Sequence, residues 1–175
     1  MIGGAARKLV AFALVAGVFA APAGAKTQRH SASLNALSRG VLAQVNVFRR
    51  AHGLVPLTLA PGLNAAASQH SHEMAARGYF AHESFDGSSF DKRVARYYRP
   101  NVRYWSVGEN LAWGAPVLSA QDVLRMWINS PPHLHNLLTA RWRQIGVSAI
   151  NVASAGGTYG GGSATIVTVD FGVRH

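Results

Sequence analysis

Three residues of this chain have the type and setting to do chemistry: His82, Glu109 and His133. Two neutral imidazoles and one carboxylate make a zinc triad of the kind that leaves a coordination position open. The same groups can equally form an acid/base set, with the carboxylate fixing a histidine tautomer. A third reading is a buried His–Glu–His hydrogen-bond network that floors a cleft. Spacing does not choose among these, since the chain has no His-Glu-x-x-His run. Glu109 shares one face of an alternating segment, Ser106 to Trp113, with Val107 and Leu111. A carboxylate there must be paired, ligating or protonated. His133 follows Ser130-Pro131-Pro132 and falls in a first helical turn, where the helix dipole disfavours imidazolium and a ring nitrogen stays free. His135, two positions further on, points away and is expected at the surface.

Elements of both kinds must bring these residues together. Leu34, Leu37, Val41, Val45 and Phe48 recur at helical spacing, Gly53 stops the run, and Asn46 and Arg49 sit near its end, where a cation suits the dipole. Pro61 opens a second helix with an inner stripe of Leu63, Ala67, His70 and Met74, closed by Gly78; His70 is therefore read as a core histidine. Ser89 to Tyr98 reads as a short basic helix. Lys92-Arg93, Arg96, Arg99 and Arg103 share its spacing, most simply as a solvated face. Ser119 and Asp122 form a capping pair for a helix whose inner face is Val123, Met126, Trp127 and Ser130. Pro131-Pro132 breaks that helix, and Ser130 is placed to cap the next. Ile145, Val147 and Ala149 alternate on one strand, and Val167, Val169 and Phe171 on another, with the intervening glycines as a flexible hairpin tip. Trp127, on an inner helical stripe, reads as core packing, while Trp105, Trp113 and Trp142 suit either the core or a ligand-binding cleft.

Composition narrows the function. The 175 residues suit one compact domain, 49% hydrophobic and 14% charged. With no cysteine there is no disulfide scaffold, thiol nucleophile or thiolate-bound metal. Arg7-Lys8, the apolar run Leu9 to Ala21 and Ala23-Gly24-Ala25 form a signal-peptide pattern, with cleavage expected after Ala25. The run is short of the ~20 residues a membrane span needs. Residues 1–25 are thus read as a signal peptide, 26–33 as a flexible lead-in and 34–175 as the domain, in a secreted, extracellular or periplasmic protein. An exported domain of this size without disulfides leans towards a bacterium, and outside such a cell a net charge of +10 points to wall polymers or lipid head groups as anionic partners, not nucleic acid. Oligomeric state is not readable from these features.

Seven segments carry a resemblance. They are Val45-Asn46-x-x-Arg49; His52-Gly53-Leu54-x-Pro56-Leu57; His70-Ser71-x-x-Met74; Phe80-Ala81-His82 with Asp86-Gly87; Gly108-Glu109-Asn110-Leu111; Trp127-x-Asn129-Ser130-Pro131-x-His133-x-x-Asn136-Leu137; and Ile145-Gly146-Val147. Their order and spacing resemble the CAP superfamily (the SCP/PR-1-like extracellular domain), in its cysteine-free bacterial branch. The resemblance implies an α+β fold, an α-β-α three-layer sandwich with a central antiparallel sheet and a large cleft. It also implies a cleft tetrad of two histidines and two glutamates. His82 and His133 match the histidines and Glu109 one glutamate; Ser130 stands where the other glutamate belongs and cannot act as a carboxylate base. A two-histidine site for a divalent metal such as Zn2+ survives that departure. The implied function is a binding module for a lipid or cell-envelope ligand, as eukaryotic relatives bind sterols or other lipids. The alternative is a hydrolase using metal on His82 and His133 with Glu109 as general base or third ligand.

Overall fold

Side-chain caps fix the starts of two helices, and proline and glycine mark other ends. The computed structural model describes residues 34–98 and 104–175. The expected signal peptide and lead-in, with Arg99 and Arg103, lie outside the described residues. Helix α1 (Ala36–Ala51) is capped by Asn35, which accepts from the Ser38 amide. Strand β1 (Thr58–Leu59) precedes α2 (Pro61–Arg77), which opens on proline and ends at Gly78. Gly78 has φ of +69°, and its ideal Cβ would stand 3.0 Å from the Gly156 backbone, so both conformation and space select glycine there. Helix α3 (Phe90–Tyr97), strand β2 (Trp105–Gly114) and α4 (Ala120–Ile128) follow; α4 begins with the full Ser119/Asp122 capping box. Helix α5 (Pro131–Leu138), β3 (Gln144–Val152) and β4 (Ala164–Arg174) complete the chain.

The four strands lie in the order β1-β3-β4-β2. The β3–β4 and β4–β2 pairs are antiparallel, as the sequence alternation leads one to expect, whereas two-residue β1 joins β3 in parallel and makes the sheet mixed. Val167, Val169, Phe171 and Val173 of β4 pack with Val41 and Val45 of α1, Val123 and Trp127 of α4, and Leu137 of α5. On the opposite face Ile166 meets Met74 of α2, and Leu63 of α2 clusters with Val94 of α3. The result is the expected helix–sheet–helix sandwich, with α1, α4 and α5 on one side and α2 and α3 on the other. The inner stripe of α2 is as read from the sequence: Leu63, Ala67, His70 and Met74 are all fully buried. Met126 departs from expectation; it stands on the outer flank of α4, 42% exposed. The β3–β4 connection also differs from a flexible tip. It contains a 3-10 turn, Gly157–Tyr159, whose tyrosine is buried and donates its hydroxyl to the Tyr79 carbonyl at 2.7 Å.

Side chains engage backbone groups on the outer sides of β2 and β3. Along the free side of β2, Asn136 donates to the Glu109 carbonyl at 3.0 Å and the Trp127 indole to the Leu111 carbonyl at 2.8 Å. Along β3, Asn64 accepts from the Val147 amide, Ser38 from the Ala149 amide, and Asn35 donates to the Ala149 carbonyl. Five backbone groups that a neighbouring strand would pair with are thereby satisfied within the fold.

Candidate functional site

The site lies at the β2 margin, where the two helical layers meet around the edge of the sheet. Glu109 comes from β2, on the α2/α3 side with Val107 and Leu111. His82 comes from the segment following α2, and His133 from the first turn of α5 in the other layer. His82, Glu109 and His133 line one cavity of about 430 Å3, together with Phe90, Gly108 and Asn136. Residues far apart in sequence therefore converge, as the sequence reading requires.

Each imidazole is held by a support that sequence reasoning only partly reaches. Fully buried His70 donates its Nε2 proton to the Ala81 carbonyl at 2.8 Å, fixing the backbone beside His82. Burial keeps His70 below the ordinary histidine range and hence neutral. Arg49, also fully buried, donates to the carbonyls of Val55, Leu137 and Thr139, tying α1 to the far end of the helix that carries His133. Its role is thus a clamp between elements rather than the dipole partner its position first indicates. Asn136 bonds Asn110 Oδ1, and Asn110 bonds the His133 carbonyl, joining α5 to β2.

The carboxylate is paired. Glu109, 4% exposed, accepts from His82 Nδ1 at Oε1, 2.8 Å away, and from Arg93 Nη2 at Oε2. Arg93 corrects the reading of the basic series as a solvated face: it has no exposed surface and also donates to the His82 carbonyl and Ser84 Oγ. The sequence carries a signal for this, because Arg93 sits between Phe90 and Val94 on the apolar side of α3, where a cation needs a buried partner. A carboxylate only accepts, so His82 must carry its proton on Nδ1 and present a bare Nε2 when neutral. The hydrogen bond and charge of Glu109 raise the His82 pKa against the opposing effect of burial.

Ser130 occupies the cap position of α5 but does not cap it with its side chain; Oγ instead lies 2.9 Å from His133 Nδ1. Burial first, then the charge of His82, lower the His133 pKa. The neutral state expected from the sequence therefore holds, through desolvation rather than the helix dipole. The three candidate residues do not form one His–Glu–His chain: Glu109 bonds His82, while His133 bonds Ser130. Nor do three histidine or acidic side chains converge as a donor set among the described residues. His135 is exposed, as expected.

Comparison with known proteins agrees with this architecture. The cysteine-rich secretory protein family, CAP, matches residues 42–171. The chain belongs to the CAP family. It does so with no cysteine of its own. YkwD of Bacillus subtilis (strain 168), described as uncharacterized, is 31% identical over 123 residues, covering 70% of this chain and 46% of YkwD. The chain thus spans about half the length of that curated relative. An extracellular protein containing a SCP domain, from Bacillus anthracis str. Ames, superposes with a TM-score of 0.60 at 25% identity, covering 79% of this chain and 40% of that one. An outer surface protein from Borrelia burgdorferi shares the fold at a TM-score of 0.65 and 20% identity, covering 78% of this chain and 92% of its own. The sandwich seen here is therefore the CAP fold, braced by the motif residues Arg49, His70, Trp127 and Asn136 and by Asn46, which bonds both backbone groups of Leu57.

Proposed function

We propose that this CAP domain is a secreted bacterial binding module whose cleft holds a divalent cation, zinc foremost, on His82 and His133. One observation carries the reading: both imidazoles are anchored through Nδ1, and neither Nε2 has a hydrogen-bond partner among the described residues, while both rings line the same cavity. Metal-ligating histidines are oriented in this way, one nitrogen fixed by an outer partner and the other left for the ion. Two protein ligands leave the remaining positions to solvent or to a bound anion. Zinc held there supplies a Lewis acid that attracts a carboxylate or phosphate of the ligand. Glu109, enclosed between Arg93 and His82, supports an orienting role rather than that of general base or third ligand. This weighs against the metal-dependent hydrolase.

Next to the cation site lies an apolar recess of about 250 Å3 lined by Phe80, Leu111, Trp113, Met126, Trp127 and Ser130, and His133 lines both. A lipid or amphiphilic cell-envelope ligand fits the juxtaposition of an anion-attracting centre with an apolar wall. The net charge of +10 favours an anionic one, and an anionic wall polymer would use the same attraction. Export is supported by the N-terminal pattern and by the extracellular and surface placement of similar proteins. No helix among the described residues is long and apolar enough to cross a membrane.

Zinc titration of tag-free protein by calorimetry is expected to show low-micromolar or tighter binding that is lost in His82→Ala/His133→Ala. Equal binding by wild type and the double variant would overturn the site. Ser130→Ala is expected to weaken zinc by about 10–100-fold, the usual cost of losing an outer-shell partner. Acid should weaken binding too: the raised pKa of His82 means that protons compete for it from above the ordinary histidine range downward. For stability the sign is opposite. The His82–Glu109 pair contributes fully below the unfolded histidine value of about 6.5 and is lost as pH rises through the raised folded value. His82→Ala should therefore lower the melting temperature more at about pH 5.5 than at about pH 9.

A further inference from the structure

Behind Glu109, on the side away from the cleft, lies a second acid that the zinc reading does not use. Asp170 of β4 stands directly opposite Glu109 in the β2–β4 register. The Glu109 carbonyl bonds Asn136 on the outer margin, which makes this a non-hydrogen-bonded pair, the kind whose side chains approach most closely. Asp170 has no exposed surface, and neither carboxyl oxygen meets a donor among the described residues. Its β3 neighbour is Gly146, which brings no side chain. From α3 comes Arg93, whose Nη atoms go to Glu109, the His82 carbonyl and Ser84. From α2 comes buried His70, neutral for the reason given above. The pocket thus sets two carboxyl groups against one buried cation. Ionising both would leave an uncompensated negative charge with no water to solvate it. One proton has to stay, and Glu109 is the acid already engaged by arginine and imidazole.

We propose that Asp170 is a positioning residue: a protonated carboxyl that donates its hydrogen to the Glu109 carboxylate, completing a chain Asp170–Glu109–His82 that holds His82 with its proton on Nδ1. Burial, then the charge of Glu109, hold the Asp170 carboxyl well above the usual carboxylate range, against the pull of Arg93. The arrangement explains why Arg93 bonds Glu109 alone of the two acids: a neutral Asp170 does not compete for it. The chain concerns the metal-free protein, so it stands whether or not a cation binds. As regards the cation site it deepens the reading above, by explaining what keeps Nε2 of His82 bare.

Asp170 is one of four aspartates, and Asp86, Asp91 and Asp122 are not buried. Aspartate labelled with 13C at Cγ, in metal-free full-length protein, therefore gives four carboxyl signals to follow by NMR. At pH 7 one signal is expected at the protonated position and to vanish in Asp170→Asn. Four ionised carboxylates at pH 7 would overturn the proposal, and this arm needs no variant to fold. The second arm reads the 15N signals of His82. Asp170→Asn, which still donates to Glu109, should preserve the Nδ1–H form, whereas Asp170→Leu should shift the tautomer ratio by about tenfold, the equivalent of one hydrogen bond. An unchanged His82 in Asp170→Leu would reduce Asp170 to a packing residue and overturn the positioning role. Stability should follow the proton: wild type loses it as pH rises from the unfolded value of about 3.9 through the raised folded value, and Asp170→Asn removes that slope.

Discussion

Arg93→Met is expected to lower stability by about 3–5 kcal/mol, the cost of leaving a buried acid without its cation. In a domain of this size that is a fall of roughly 10–20 °C in melting temperature. The size follows from what the guanidinium does: it neutralises Glu109, ties down the His82 carbonyl and satisfies Ser84 Oγ, all in space closed to water. Methionine fills much of the volume and does none of these. Arg93→Lys restores the charge but not the planar fork that reaches three acceptors, so it should recover only part of the loss. Thermal unfolding by circular dichroism at pH 7 measures all three proteins. A shift of less than about 3 °C in Arg93→Met would mean that the pair contributes little to the fold.

The second large effect is at Gly146. An ideal Cβ there would lie 2.1 Å from the Leu63 carbonyl carbon and 2.3 Å from the Asn64 amide nitrogen. Both are backbone atoms of α2, so no rotamer change relieves the overlap. Gly146→Ala must push α2 off β3, disturbing the Asn64–Val147 bond and the fully buried Leu63. A loss above about 3 kcal/mol is expected, at or beyond the upper end for overpacked cores. Gly162→Ala is the control: nothing lies within 4 Å of its added methyl. It should stay within about 0.5 kcal/mol of wild type. Hydrogen exchange at the Val147 amide would localise the damage, and slow exchange there in a stable Gly146→Ala protein would refute the close-contact argument.

Much of this molecule is legible in its amino acids because local chemistry and tertiary packing agree. Pro61, Gly78 and the Ser119/Asp122 box set helix ends by satisfying or dispensing with orphan backbone groups, and they need no distant partner to do so. The stripe through His70 is read from period alone. Convergence of His82, Glu109 and His133 is different in kind: it rests on seven motifs rather than on any property of three isolated residues. What escapes a linear reading is pairing across elements. Arg93 looks like one of a series of surface cations because its partner lies on a strand, 16 positions away. Asp170 hides between Val169 and Phe171, although an acid inside a fully buried strand is as odd as Glu109 and open to the same question. Ser130 has the right position and another partner, since a cap hydroxyl can turn either to backbone amides or to the imidazole three residues on. Met126 follows the helical period of α4 yet faces outward, into the rim of the apolar recess.

The amide, hydroxyl and indole groups along the outer strands have a bearing on how these molecules treat one another. An open ladder invites a second copy to add its own strand, and from there growth can proceed towards fibrils. Here Asn136 and Trp127 stopper one border, and Asn35, Ser38 and Asn64 the other. Polymerisation through either rim would first have to pull those plugs. In a chain that has no disulfide to lock it, self-restraint of this sort is written into the fold's own side chains, of which Asn136 and Trp127 also line the cleft and its recess.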